Sequence, residues 1–469
     1  MLFNSINFLV FFCVVFTVFW TIPIKYRWIL LLISSYFFYM CWEPAYILLI
    51  LFSTTSDYFI CNNLTCSENI KKRKIGLWLN ISLNLGMLVI FKYFNFFQDL
   101  IKQVLDIFQV SYEPQYSNWL LPVGISFYTF QTISYAIDVY RKEIEVEKHF
   151  GKFALFVAFF PQLVAGPIER AKLLLPQINF PKSRFSSQQF QDGLILIIWG
   201  LFQKAVVADH VAIYVDQYYN SYVNQTGGAL LFATYLFAIQ IYCDFAGYSN
   251  MARGIAKMLG YELMENFKTP YFSSSITEFW RNWHISLSTW FKDYVYIPLG
   301  GNKKGIIQTV KNNMITMTLG GLWHGANWNF VMWGIINGFF ISFEKIIHLL
   351  FPFKFKWLHF LKIFLVFNLI CLTWIFFRSQ SFEQAIDIIY SIANLKLKDL
   401  YFVIADNRFS TAILGSIFLF LVELQFPNQS VTEIRKKHII YRYLIYLLLC
   451  ISILLLGSSS GMQFIYFQF

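Results

Sequence analysis

The 469-residue chain contains 57% hydrophobic residues and only 13% charged residues, with a mean hydropathy of +0.52. These values exclude an ordinary soluble globular protein and favour a protein built into a membrane. The formal net charge of +11 lies in short segments between apolar runs, as the positive-inside rule requires, so we expect no nucleic-acid partner. Because those runs are continuous rather than alternating, helices and not barrel strands are expected to cross the membrane.

The apolar stretches predict an all-α polytopic protein with roughly ten to twelve transmembrane helices. No long linker rich in Pro, Gly or Ser interrupts the chain, so residues 1–469 are expected to form one membrane-embedded domain that ends in an aromatic tail, 457–469. The stretches predicted to cross or enter the membrane are 2–24, 28–42, 46–60, 75–97, 119–140, 153–164, 194–215, 229–248, 312–322, 330–343, 357–377, 410–426 and 439–456.

Two of these stretches, 153–164 and 312–322, are only about half the roughly 20 residues that a transmembrane helix needs. The first ends in a Pro/Gly-interrupted sequence, PQLVAGPIER, which is typical of a broken or re-entrant helix buried in protein. The segment 99–108 is amphipathic and is expected to lie along the membrane interface.

The basic loops predict the orientation in the membrane. Lys25 and Arg27, the cluster 71–74 and the cluster 435–437 are assigned to the cytoplasm, which places both termini on the outer side. The stretch 2–24 lacks a basic n-region and a cleavage site, so it is expected to be a retained first span. Basic loops also flank residues 271–329, and this region is therefore expected to be approached from the cytoplasm.

Two of the seven histidines, His284 and His324, follow tryptophans within 271–329. A neutral imidazole can take a proton from a hydroxyl that attacks an activated carbonyl, and His324 is therefore a candidate general base. Glycines around it allow close backbone approach, and Trp323 would help to exclude water. The alternative is a structural histidine that hydrogen-bonds a neighbouring carbonyl.

His284 lies in EFWRNWHISLSTWFKDY. If this segment is helical, Trp280, His284 and Leu287 share one face and Arg281 projects beside it. His284 is then expected to orient a nucleophile or to contact a carrier, although an interfacial helix anchored by its aromatics explains the same pattern.

Basic side chains in this half of the chain are candidate phosphate contacts, although positive-inside bias explains them equally well. They are Arg253, Arg281 and Lys292. A catalytic zinc needs three protein ligands, and only Asp244 could be named beside the two histidines, so no metal is expected.

Five ordered blocks of the sequence resemble the membrane-bound O-acyltransferase family, and in particular its bacterial branch that acylates cell-envelope polymers. That branch includes the alginate O-acetyltransferase membrane subunit and the teichoic acid D-alanyl transferase. The resemblance covers about 121–330 and is carried by LPVGISFYTFQ, VAGPIER, YCDFAGYSNMARG, ENFKTPYFSSSITEFWRNWHISLSTWFKDYVYIPLGGNKKG and GLWHGANW.

This resemblance implies a helical bundle around a central funnel or tunnel, with His324 as the catalytic residue and His284 as the second histidine. It implies a bacterial inner-membrane enzyme that moves an acyl group, expected to be acetyl, from a cytosolic thioester to a hydroxyl of an extracytoplasmic polysaccharide. The donor is expected to be acetyl-CoA or another acyl-CoA, or a phosphopantetheine carrier, and a separate extracytoplasmic acyltransferase is an expected partner. Residues in the matching blocks are expected to contact substrates: Asp244, Arg253, Trp280, Arg281, Lys292, Trp323 and Asn327.

The last residues, FIYFQF, resemble the aromatic ending of a small membrane partner in the teichoic acid system. We expect Tyr466 to accept the acyl group as a tyrosyl ester and to pass it on, because a phenol with a pKa near 10 is deprotonated more easily than a sugar hydroxyl. An interfacial tyrosine that anchors the last helix is the alternative.

Other activities stay open at this point. They are D-alanyl transfer from a carrier protein to teichoic acid, acylation of a protein or lipid, and, outside enzymology, transport. A transporter would be expected to show symmetric half-repeats, and none is evident in the sequence.

Overall fold

The computed structural model describes residues 1–117, 119, 122–164, 166–350, 358–395, 407–426, 431–458 and 464–465. Within these ranges the ordered elements are helices and turns, without a strand, which confirms the all-α prediction. The helices are α1 (Ile6–Thr21), α2 (Arg27–Met40), α3 (Ile47–Ile60), α4 (Ile70–Leu88), α5 (Phe94–Ile107), α6 (Ile125–Tyr140), α7 (Phe150–Ala158), α8 (Phe160–Leu163), α9 (Ala171–Asn179), α10 (Ser187–Leu201), α11 (Asp209–Asn220), α12 (Gly227–Met258), α13 (Ile276–Asn282), α14 (Ile285–Phe291), α15 (Gly305–His324), α16 (Trp328–Leu350), α17 (His359–Arg378), α18 (Phe382–Ala393), α19 (Asn407–Glu423) and α20 (Ile439–Leu456).

The chain divides into two compact units. The first comprises Met1–Leu194 and Ala252–Met264, and the second comprises Ile195–Met251 and Glu265–Phe469. Helices α1 to α9 belong to the first unit, α11 and α13 to α20 belong to the second, and α10 and α12 contribute residues to both. The expectation of one membrane-embedded domain stays a prediction.

Seven helical segments of the described chain are long and apolar enough to cross a membrane, which makes this a multi-pass membrane protein. Three further apolar helical segments are shorter: Ile6–Thr21, Phe150–Leu163 and Phe409–Glu423. The seven long segments are Pro44–Thr65, Ile70–Ile107, Ser187–Asn220, Gly227–Met258, Trp328–Leu350, His359–Arg378 and Ile439–Leu456.

Two of the long segments are continuous where the sequence suggested separate pieces. A π-helical turn, Val89–Tyr93, joins α4 to α5, so the predicted interfacial segment 99–108 continues the preceding helix without a break. Another π-helical turn, Phe202–Ala208, joins α10 to α11. A π turn inserts an extra residue into a helix and often marks a functional position.

A buried carboxylate organises the polar core of the first unit. Asp57 on α3 accepts hydrogen bonds from the side-chain amides of Asn80 and Asn84 on α4, at 2.6 and 2.7 Å, and from the Ser53 hydroxyl at 3.2 Å. The Thr132 hydroxyl of α6 donates to Asn84 at 3.1 Å. These bonds compensate the cost of burying a carboxylate, and they tie three helices together.

The predicted break in 153–164 is confirmed. Helix α7 ends at Ala158, Phe159 adopts a non-helical conformation, and the short helix α8 follows with Pro161 in its first turn. The break leaves the Phe156 carbonyl without its helical donor, and the side-chain amides of Gln131 and Gln162 supply two, at 2.7 and 2.8 Å.

The expected short segment 312–322 is wrong in length. It belongs to α15, which begins at Gly305 and has 20 residues. The hydrophobicity pattern places the start of this helix several residues too late, because the first turns of α15 are polar and contain Lys311. His324 is the last residue of this helix.

Candidate active site

His284 lies at a break between two short helices of the second unit. Helix α13 ends at Asn282, α14 begins at Ile285, and His284 has a left-handed backbone with φ of 43°. Such a conformation is strained for a residue with a side chain, and strained residues cluster at functional sites. The condition for Trp280, His284 and Leu287 to share one face, a continuous helix through this segment, is therefore not met.

Backbone hydrogen bonds to a neighbouring loop hold the break in place. The Lys268 N–H donates to the Asn282 carbonyl at 3.0 Å, and the Ile285 N–H donates to the Asn266 carbonyl at 2.9 Å. These bonds satisfy groups on both sides of His284 that a continuous helix would have satisfied internally. Sequence periodicity does not reveal these bonds, because the partner loop at 266–268 lies several helical turns' worth of residues earlier in the chain.

The His284 ring is 1% exposed and lies among aromatic rings. Its centroid is 4.6 Å from that of Phe245 on α12 and 6.0 Å from that of Trp323 on α15. Burial lowers the pKa of His284 to about 3, because a charged imidazolium would lose its hydration here. His284 is therefore neutral at physiological pH and is suited to accept or donate a hydrogen bond without carrying charge.

The pKa of His284 predicts how stability depends on pH. The unfolded chain binds a proton at this histidine near its ordinary pKa of 6.5, whereas the folded protein does so only near 3. The unfolded state therefore binds more protons in this window, and stability falls as pH drops from about 6.5 towards 3, by the order of a few kcal/mol. We expect His284→Asn, which tolerates a left-handed backbone, to reduce the fall in melting temperature between about pH 7 and about pH 5.

His348 provides the matched control for that measurement. Its side chain is 64% exposed on α16, so His348→Asn should leave the pH dependence as it is in the wild-type protein. Equal pH slopes for wild type and His284→Asn in detergent-solubilised protein would contradict the prediction.

Close packing between α15 and α16 positions His324. A Cβ atom on Gly321 would lie 2.1 Å from the carbonyl oxygen of Phe330, and one on Gly334 would lie 2.4 Å from that of Met317. Neither position tolerates a side chain, so glycine at both allows the two helices to approach this closely. The end of α15, which carries His324, is thereby held against the start of α16.

His324 is 6% exposed and is also surrounded by aromatic rings. Its ring centroid lies 5.0 Å from that of Trp333 and 5.1 Å from that of Phe377. Trp323 packs against His324 at 4.9 Å and against His284 at 6.0 Å, so it connects the two histidines. Two buried imidazoles among aromatic rings are groups that can take part in acid–base chemistry.

The other residues predicted at the site divide into two groups. Trp280 packs edge-on against Trp333 at 5.4 Å, and the side-chain oxygen of Asn327 accepts the Asn329 N–H at 2.9 Å in the first turn of α16. Arg281 and Lys292 are exposed, and Lys292 lies 3.9 Å from Asp293. The first group therefore supports the histidine region, while the cations lie on the surface.

Arg253 belongs to the first unit. Its charge acts on Glu169, a buried residue of the VAGPIER block, whose pKa burial raises to about 8. Arg253 and Arg170 partly oppose that rise. Arg253 therefore lies close enough to Glu169 for its charge to act on that carboxyl group within the same unit.

A buried ion cluster lies beside the site in the second unit. The Lys204 ammonium lies 2.8 Å from Asp209 and 2.7 Å from Asp244. The second carboxylate oxygen of Asp244 accepts the backbone N–H of Ile465 at 2.7 Å. These three groups are recognisable in the sequence as functional candidates, because they are ionisable residues inside apolar helices. Their pairing is apparent only in the folded structure.

The described tail residues Phe464 and Ile465 are 0% and 3% exposed. The Phe464 ring lies 4.6 Å from Tyr248 and 5.7 Å from Phe245. Phe245 is the same ring that packs against His284. Tyr466, the predicted acyl relay, is the next residue and lies outside the described residues.

A cavity of the second unit, which no sequence pattern indicated, is partly open, and the space within it, open solvent included, is about 440 Å³. On one side the Tyr242 hydroxyl donates to Glu423 at 2.5 Å, and on another the Asn250 amide donates to Gln203 at 2.8 Å. Phe267 lines the cavity and packs against Phe245 at 5.1 Å. The full lining is Trp199, Gln203, Tyr242, Asn250, Glu265, Phe267, Thr269, Val422, Glu423, Phe426 and Val431.

In the part of the chain that the structure describes, no three His, Cys, Asp or Glu side chains are grouped closely enough to hold a metal ion. The site therefore offers imidazoles, a carboxylate–ammonium cluster and aromatic walls. These groups suit acid–base chemistry on an acyl group.

The chain belongs to the membrane-bound O-acyltransferase family, which it matches over residues 141–383. It is accordingly an O-acyltransferase that uses an acyl donor. The matched residues include both histidines and the whole of the buried ion cluster.

The chain is similar to several curated bacterial proteins. It is 36% identical to a probable alginate O-acetylase AlgI of Pseudomonas putida over 95% of both chains. It is 29% identical to a peptidoglycan O-acetyltransferase of Helicobacter pylori, over 94% of this chain and 91% of that protein. The similarity to a teichoic acid D-alanyltransferase of Bacillus subtilis is 26% over 56% of this chain and 70% of the relative.

Proposed function

We propose that this protein transfers an acyl group, acetyl in the first instance, from a cytosolic thioester to a hydroxyl of an extracytoplasmic envelope polysaccharide. Two relatives that align over more than nine-tenths of this chain are named as O-acetylating enzymes, one of alginate and one of peptidoglycan. The D-alanyltransferase relative aligns over only about half of the chain, and D-alanyl transfer is therefore the second candidate.

The observation that carries the mechanism is the position of the described tail residues. Phe464 and Ile465 are buried in the second unit, and Phe464 packs on the same Phe245 ring as His284. The next residue, Tyr466, follows Ile465 at one Cα–Cα step of about 3.8 Å. This placement supports a tail that brings a phenol to the histidines.

In the proposed first step, the Tyr466 phenol oxygen attacks the thioester carbonyl, and His324 takes the phenol proton. The C–S bond breaks, and the leaving thiolate takes up that proton, which leaves a tyrosyl ester and a free thiol. In the second step an acceptor hydroxyl attacks the tyrosyl ester, and its proton goes to the departing phenolate. His284 is neutral and buried, so in this proposal it accepts or donates a hydrogen bond within the site without adding a charge.

The thioester of this proposal is acetyl-CoA or a phosphopantetheine carrier. The second-unit cavity lies against Phe267, which packs on Phe245, and its amide and carboxylate groups are suited to hydrogen-bond a polar donor arm. The membrane is the bacterial inner membrane, both termini face outward, and a separate extracytoplasmic enzyme receives the acyl group for the polymer.

Reconstituted protein tests the donor directly. Purified protein in detergent is incubated with radiolabelled acetyl-CoA, or with D-alanyl or acetyl carrier protein, and protein-bound label is counted before and after hydroxylamine treatment. Because hydroxylamine cleaves oxygen esters, the label that the treatment removes is the label held as an ester. Label from acetyl-CoA or from an acetylated carrier supports the proposal. Label from the D-alanyl carrier alone would support the second candidate, and no label from any thioester would contradict a covalent relay.

A deletion strain tests the acceptor. The O-acyl content of its isolated envelope polysaccharides should fall and should return when the wild-type gene is supplied. Unchanged polysaccharide acylation in the deletion strain would contradict the proposed acceptor class, even if the purified protein takes up label.

A further inference from the structure

The C-terminal segment is tied to the second unit by backbone bonds at two described points, near its start and near its end. We propose that Asp244, held in place by Lys204, is a docking residue for this segment and fixes its register through the backbone N–H of Ile465. The docking itself is independent of acyl transfer, and only its consequence for Tyr466 rests on the proposed function.

The charges of the cluster explain why Asp244 needs a further donor. Lys204 contacts both Asp209 and Asp244, and all three side chains are nearly fully buried. With both carboxylates ionised, one ammonium faces two negative charges. A buried ion pair is tolerated only when additional hydrogen bonds satisfy its remaining lone pairs. The Ile465 N–H, 2.7 Å from Asp244, supplies one of them.

The π-helical turn between α10 and α11 provides one attachment point itself and contains the lysine that contacts the other. Lys204, which orients Asp244, and Ala205 are consecutive residues of this turn. The Ala205 carbonyl accepts the Ser458 backbone N–H at 3.0 Å. Because a π turn disrupts the regular i to i−4 pairing, a carbonyl within it can bond a group outside the helix. The same irregularity thus anchors the segment at 458 and, through Lys204 and Asp244, at 465.

Apolar burial adds affinity but does not set the register. Phe464 is fully buried against Tyr248 and Phe245, which lie on the same helix as Asp244. The burial of an aromatic ring is stabilising without being directional. A charge-assisted hydrogen bond to one N–H, by contrast, requires a particular donor at a particular position. Asp244 therefore selects which residue of the segment is held, and the next residue is Tyr466.

Trimming of the full-length protein in detergent by carboxypeptidase Y, which also releases C-terminal proline, followed by intact mass measurement, tests the docking without any donor or acceptor. Asp244→Ala removes the acceptor, and Ile465→Pro removes the N–H while leaving the Lys204–Asp244 pair untouched. Ile465→Val keeps the N–H and is the matched control. Glu423→Gln changes a buried carboxyl of the same unit that bonds Tyr242 and not the tail.

We expect trimming of the wild type, Ile465→Val and Glu423→Gln to stop at or just beyond Ile465. Asp244→Ala and Ile465→Pro should be trimmed towards Ser458 faster by on the order of tenfold or more, as the loss of a charge-assisted bond implies. Thermal unfolding of each variant identifies any that are misfolded. If Asp244→Ala is misfolded, the trimming of Ile465→Pro alone tests the docking.

Equal trimming of wild type and Ile465→Pro would overturn the docking role, because the N–H would then not be what holds the segment. If Ile465→Pro releases the segment while polysaccharide acylation stays normal, the docking stands and the relay at Tyr466 fails. The two proposals are therefore separable by this experiment.

Discussion

His324→Ala is expected to lower acyl transfer by about 10²- to 10⁴-fold, the range that a positioned general base contributes. His324 is the buried imidazole that follows Trp323 at the end of α15, against Trp333 and Phe377. Loss of the base should appear in kcat, with little change in the KM for the donor, because the ring acts on the transferred proton. The measurement is the rate of label transfer from the thioester by purified protein.

A second variant separates the base from the packing. Because the ring of His324 packs against three aromatic side chains, His324→Ala also leaves a cavity. His324→Phe keeps an aromatic ring at the position but has no basic nitrogen, and it should be as inactive as His324→Ala while unfolding closer to the wild-type temperature. His348→Ala, an exposed histidine on α16, should keep wild-type activity. Substantial activity in His324→Phe would show that the position serves packing alone.

Tyr466→Phe is expected to abolish polysaccharide acylation and to abolish the formation of hydroxylamine-sensitive label on the protein. The change removes a single oxygen, which in the proposed mechanism is the atom that carries the acyl group between donor and acceptor. Wild-type protein incubated with donor and without acceptor should gain the mass of one acyl group, and tandem mass spectrometry should place it on Tyr466.

Controls for this prediction come from the same chain. Tyr390→Phe removes a phenol that is 71% exposed on α18 and should change neither reading. Exchanging Tyr466 and Phe467 keeps the composition of the tail but moves the phenol by one residue, and activity should stay low because Asp244 fixes the register at Ile465. Wild-type acylation in Tyr466→Phe would leave Tyr466 as an interfacial anchor and would direct attention to a direct transfer assisted by His324.

Some failures of sequence reasoning have a common cause. The residues around His284 have a spacing that is compatible with one continuous helix, yet the hydrogen bonds that break the helix come from residues 266–268. Likewise, the start of α15 was missed because its first turns are polar. A local hydrophobic pattern indicates which face of a helix is buried. It contains no information about hydrogen-bond partners from another segment of the chain.

Where a signal was local and strong, the sequence was sufficient. The break near Phe159 was predicted from a short apolar stretch followed by Pro and Gly, and the structure has it. The predicted bounds of His359–Arg378 and Ile439–Leu456 agree with the structure to within two residues at each end, whereas Gly227–Met258 extends ten residues beyond its predicted end and Ser187–Asn220 begins seven residues before its predicted start. Asp244 is predicted from the sequence as a substrate contact or, less favourably, as a metal ligand, since nothing in the sequence indicates that Lys204 and Ile465 would meet it.

The sequence by itself determined that this is a helical membrane protein with two histidines after tryptophans, because hydrophobic runs and ordered motifs are properties of the linear chain. Only the tertiary structure decided that Trp323 joins the two imidazoles, that His284 sits in a strained break, and that the tail reaches Asp244. These contacts join segments up to 221 residues apart. Their formation depends on the packing of whole helices, which no local window of sequence encodes.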